Sequence, residues 1–200
     1  MTITIKRSFI NVLLVFLSFL ASSWFYKTYL ISYAYYISNY GTDFAVALNV
    51  IITLILTYFT FVLLHLFYTR KITSKTIILS YFIYIFSLVY LILLKNIGMQ
   101  GYSLNPLSFL TDIMNGSRFV PIMNVLMFIP LGFLFPLTKE NLLFSLFGLL
   151  MIETCQYVFH LGIFDLGDVT LNLLSIVIGN IFNQVFLREW FVTHLISEHK

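Results

Sequence analysis

Six apolar windows recur along this chain, each close to the length that crosses a bilayer. A hydrocarbon core about 30 Å thick needs about 20 residues of α-helix at about 1.5 Å each. The windows are Phe9–Tyr26, Phe44–Tyr68, Thr76–Leu94, Phe119–Leu137, Leu142–Leu161 and Val169–Leu187. In lipid, backbone polar groups must be satisfied within their own segment, so each window is predicted as a helix. The expected fold class is all-α, a polytopic membrane helical bundle of about six transmembrane helices. Charged residues make up only 10% of the chain against 60% hydrophobic, too few to cover a water-facing surface.

Lys and Arg set the orientation. With the N-terminus inside, Lys6, Arg7, Arg70, Lys71, Lys75, Lys139, Arg188 and Lys200 fall on the inner side. Lys27, Lys95 and Arg118 fall on the outer side. Positive charge stays cytoplasmic, so both termini are expected inside, in a multi-pass protein of the cell membrane. Lys6 and Arg7 before Phe9–Leu20, with Ala21-Ser22-Ser23 after, imitate a secretory signal. The apolar run continues through Trp24, Phe25 and Tyr26, which favours an uncleaved helix.

Tyr26, Tyr29, Tyr33, Tyr36 and Tyr40 follow a three–four spacing that places all five rings on one helical face. This reads as an interfacial helix at the outer headgroups. The stretch Asn96–Arg118, with Gly98, Gly101, Pro106 and Gly116, is the longest polar segment and reads as an irregular outer loop with room for one short helix. The tail Arg188–Lys200 reads as a mixed-charge amphipathic end at the inner surface. A net charge of +3 without a basic stripe excludes nucleic acid as a partner. The single Cys155 lies in an apolar run and reads as a small hydrophobe. His65 and His194 are assigned no role, and no resident metal or cofactor is expected.

Polar groups at membrane depth carry the functional signal, because a carboxylate at a helix centre costs about 2.5–3.5 kcal/mol to insert. Glu153 lies within "LLFSLFGLLMIETCQYVFHLG", with Gln156 and His160 on the same helical face. The turn "HLGIFDLGDVTLN" carries Asp165, Asp168 and Asn172. Asp165 reads as a simple N-cap, whereas Asp168 and Asn172 share an inward face. Ser175 and Gly179 continue that face as a small-residue packing stripe, and Pro130 and Gly132 are likewise read as packing features. Asn124 lies one turn inside its window. Asn124, Glu153, Gln156, Asp168 and Asn172 thus come from three consecutive helices in one half of the membrane, and are expected to form one polar pocket open to the outside.

The segments "NVLMFIPLGFLFP", "ETCQYVF" and "DLGDVTLNLLSIVIG" resemble the VanZ-like family of bacterial membrane proteins. The family pattern falls on Asn124 with Phe128, Pro130 and Gly132, on Glu153 with Gln156, and on Asp168 with Asn172 and Gly179. "YSLNPLSF" at Tyr102–Phe109 resembles a further family segment, and the resemblance spans Tyr81 to Leu187. Many members have Arg where this chain has Ile163 and Gly where it has Ser175, so a phosphate held by that Arg is not expected here. The implied organisation is a two-helix extension over 1–75, a VanZ-like four-helix membrane domain over 76–190 and a tail over 191–200.

The family's association is with resistance to glycopeptide antibiotics, teicoplanin in particular, so the resemblance implies a role at the cell-envelope surface of a Gram-positive bacterium or a relative. The expected function is binding of a lipid-linked cell-wall precursor or of the lipophilic glycopeptide in the outward pocket, among membrane lipids. The alternative is an intramembrane enzyme using Glu153 and Asp168, the candidate catalytic residues, with Asp165 or His160 assisting and a divalent metal as one option. A transporter is a third reading; without a visible repeat it needs an oligomer, a state the sequence leaves open.

Overall fold

A computed structural model describes residues 2–32, 42–94, 100–187 and 195–196. Helix α1 (Thr2–Phe25) runs into a wide π-helical turn at Tyr26–Leu30. Then come α2 (Thr42–Thr69), strand β1 (Ile72–Thr73) and α3 (Ser74–Val89), which a second π turn extends over Tyr90–Leu94. Strand β2 (Gly101–Ser103) and the short α4 (Ser108–Met114) precede α5 (Phe119–Gly132) and α6 (Lys139–Val158). Strand β3 (Ile163–Asp165) leads into α7 (Leu166–Phe182), a third π turn at Asn183–Leu187 and β4 (Leu195–Ile196). The chain is all-α and polytopic, and five of these helices are long and apolar enough to cross a membrane.

Contacts divide the chain into two compact units, one reaching Ser87 and including β4, the other beginning at Leu88. In the first, α1 and α2 pack in opposite directions. Ser22 bonds Thr60 at 3.1 Å, while Tyr26, further along α1, donates to Asn49, earlier on α2. Ser18 and Ser22 are buried, small enough for the helices to approach. Tyr58 on α2 reaches Ser80 on α3 at 3.0 Å, and Thr73 Oγ1 caps α3 by accepting from the Thr76 N–H at 3.2 Å. Tyr26 is buried between helices, its hydroxyl bonded to the Asn49 amide, while Tyr29 is exposed. Tyr33, Tyr36 and Tyr40 lie outside the described residues, as do Lys95, Asn96, Gly98 and most of the tail, including Arg188, His194 and Lys200. Of that tail, Leu195 and Ile196 pair in parallel with Ile72 and Thr73.

The second unit is built on α5 and α7. A Cβ added at Gly132 would stand 2.1 Å from the Ile176 carbonyl oxygen, and one at Gly179 would stand 2.0 Å from that of Ile129. The helices touch backbone to backbone, with Ser175 fully buried beside them. They run parallel, since Asn124 meets Asp168 early on both and Gly132 meets Asn180 late on both.

The window Phe119–Leu137 departs from expectation. Its helix has 14 residues, about 21 Å, and stops at Gly132. Pro136 drives the preceding residue out of the α region, and Pro130 has already removed one donor from the ladder. The carbonyls left beyond the helix would be costly in lipid. Asn180 on α7 donates to the Gly132 and Phe135 carbonyls, Asn183 to Phe133 at 3.0 Å, and Gln184 steadies the Asn180 amide at 2.7 Å. The described part of the expected irregular loop, residues 100–118, holds β2 and the short helix α4. Strand β2 pairs in parallel with β3, Gly101 opposite Ile163 and Ser103 opposite Asp165.

Two predictions follow from this packing. Gly179→Ala should destabilise the protein by about 1–3 kcal/mol through overpacking, whereas Gly148→Ala, whose Cβ would meet nothing within 4 Å, should be neutral or slightly stabilising. Thermal unfolding in detergent compares them. Asn180→Leu, which keeps the branched shape but not the donor, should cost about 1–3 kcal/mol by leaving buried carbonyls without donors; the same melts read it.

Candidate functional site

The site is assembled where α7 begins. Asp165 is the N-cap residue, in extended conformation, and its Oδ1 accepts from the Gly167 N–H at 2.7 Å. The same oxygen accepts from the Ser108 hydroxyl of α4 at 2.7 Å. Gly167 has no room for a side chain, because its Cβ would stand 1.9 Å from Ser108 Oγ. Asp165 is thus more than a local cap: it ties α4 to the entrance of α7.

Glu153, only 4% exposed, lies in α6 one turn before its end. Its Oε2 accepts from the Asp165 backbone N–H at 3.1 Å. Helix α6 then closes with Leu161 N–H bonding the Gln156 carbonyl at 2.8 Å and His160 N–H bonding that of Tyr157 at 3.3 Å. This is the Schellman pattern, and His160 takes the left-handed conformation, φ 58°, that it requires. His160 is exposed at this corner and does not extend the face of Glu153 and Gln156.

Asn124 on α5 donates from Nδ2 to Asp168 Oδ1 at 2.9 Å, a contact that follows from the parallel register of the two helices. One turn further along α7, Asn172 is 5% exposed and its Oδ1 is buried without a hydrogen-bond partner. Gln156 is buried too, but its Nε2 donates to the Ile92 carbonyl at 2.9 Å, in the π turn that extends α3. The structure thus joins Asn124 to Asp168 and Glu153 to the Asp165 backbone, and sets Gln156 to bracing the π turn Tyr90–Leu94 against α6. Sequence reasoning missed Ser108, whose partner is 57 positions away, and the amides Asn180, Asn183 and Gln184. The amides did carry a signal, since three polar residues within an apolar span need a reason.

Chemically, these residues are rich in acceptors. Two carboxylates and an orphan amide oxygen suit a group that donates hydrogen bonds, such as an ammonium or a hydroxyl, better than a bare phosphate. Among the described residues, no three His, Cys, Asp or Glu side chains gather into a group able to hold a metal ion. A double-mutant cycle of Asn124→Ala and Asp168→Ala should show a coupling of about 0.5–2 kcal/mol in thermal unfolding; strictly additive losses would mean that the pair does not interact.

No curated protein and no solved structure matches the chain. The model of the VanZ/LLP1 family matches residues 50–187, beginning within α2, upstream of Tyr81, and taking in α3 to α7 with Asn124, Glu153, Asp168 and Asn172. With more than half of its length inside that match, this multi-pass membrane protein belongs to the VanZ-like family.

Proposed function

We propose that this VanZ-like protein acts at the outer leaflet of the cell membrane. There Asn124, Glu153, Asp168 and Asn172 bind the polar head of a lipid-linked envelope precursor, or of a lipophilic glycopeptide such as teicoplanin. The observation that carries the reading is an acceptor site at membrane depth: Asp168 positioned by Asn124 at 2.9 Å, with the partnerless Asn172 Oδ1 one turn away. A buried acceptor without a donor costs about 1–3 kcal/mol, which a donor-bearing ligand recovers on binding. The Lys and Arg distribution supports an outward opening, since it places the start of α5 and α7 outside. Membership of the VanZ-like family supports the link to the envelope. A ligand whose acyl tail stays in the bilayer reaches such a site laterally, with only its head leaving the headgroup layer.

Susceptibility of a Gram-positive host to teicoplanin and vancomycin tests this, with membrane abundance matched by immunoblot. The expected result is selective protection against teicoplanin, lost in Asp168→Asn and Glu153→Gln at equal abundance. Equal susceptibility with and without the protein would break the link to glycopeptides. Appearance of a modified lipid-linked product that Glu153→Gln abolishes would replace binding by catalysis.

A further inference from the structure

Helix α4 has seven residues, too few to hold its shape alone, and it is fastened at one edge. That edge is Ser108. Its backbone nitrogen lies 3.0 Å from where a Gly167 Cβ would stand, and its hydroxyl bonds Asp165. Gly167 is the second residue of α7, and the apolar span of that helix begins at Leu166. Helix α4 therefore sits level with the first residues of the apolar span of α7.

The side of α4 turned away from Ser108 is apolar and open. Leu107, Leu110 and Met114, spaced three and four, form one stripe, and Met114 is 85% exposed. Tyr102 in β2 and Leu104 after it extend the apolar surface, Tyr102 being 72% exposed. Asp112 and Asn115, also exposed, lie off the stripe, so the segment is amphipathic. A stripe of large apolar side chains level with the start of that span fits the boundary between headgroups and acyl chains. Helix α7 presents Leu174, Ile178 and Ile181 outward along the span below it.

We infer that the segment from Tyr102 to Met114 is an interfacial anchor whose partner is the lipid bilayer. Leu107, Leu110 and Met114 enter the acyl boundary, and Asp112 stays in the wet headgroup layer. Tyr102 adds a ring of the kind that favours the interface. Through Ser108 the anchor is tied directly to the cap of α7, so headgroup packing and the Asp165 corner share one mechanical element. The inference holds for either orientation of the protein and for any ligand.

Nitroxide labels on the full chain in phosphatidylcholine–phosphatidylglycerol vesicles test it. Cys155→Ser removes the native thiol, and Met114→Cys and Asp112→Cys each provide one labelling site on an exposed side chain. Power saturation then compares collisions with oxygen, which concentrates in lipid, against those with a water-soluble nickel complex. The expected oxygen-to-nickel ratio is several-fold higher at position 114 than at 112. Equal ratios at the two positions would overturn the anchor, whether both labels are wet, both in lipid or both shielded by protein.

Discussion

Where Gly132 meets the Ile176 carbonyl and Gly179 meets that of Ile129, α5 and α7 approach through their backbones. In a bilayer, apolar side chains gain little by facing one another instead of lipid, so close fit and hydrogen bonds hold helices together. This contact sets the register of the second unit. Because it is parallel, the same alignment brings Asn124 to Asp168 near the start of both helices and Asn180 to the broken end of α5. Ser175, fully buried alongside, is small enough to leave that contact intact.

Much of this was legible in the sequence. Lipid forces whole apolar runs into helices, so the windows announced themselves, and small residues at Gly132, Ser175 and Gly179 marked the tight contact because only they allow it. Asp165 was readable as a cap from its place before an apolar run. The carboxylates were conspicuous because their cost in an apolar setting is large.

Other features depend on partners distant in the chain. Gln156 was expected in the polar pocket, but that its amide donates to the Ile92 carbonyl was not legible, since every residue carries such a group and no motif reveals which one is met. Of the spaced tyrosines only Tyr26 and Tyr29 fall among the described residues, and whether Tyr26 faces lipid or a neighbouring helix depends on Asn49 across the interface. The β2–β3 pairing rests on three residues in each strand, too short for a period-two pattern to show. The early end of α5 was hidden by the apolar residues Phe133, Leu134, Phe135 and Leu137, which read as more membrane helix although Pro136 stands among them.

That early end changes what the bilayer experiences. A 14-residue helix leaves about 9 Å of a 30 Å core to be crossed by chain without its own ladder. The apolar side chains of Phe133, Leu134, Phe135 and Leu137 can face acyl chains there, but their freed backbone carbonyls cannot. The end of α5 is therefore borrowed from its neighbour: Asn180 and Asn183 of α7 and its π turn supply the donors that let the helix stop inside the span.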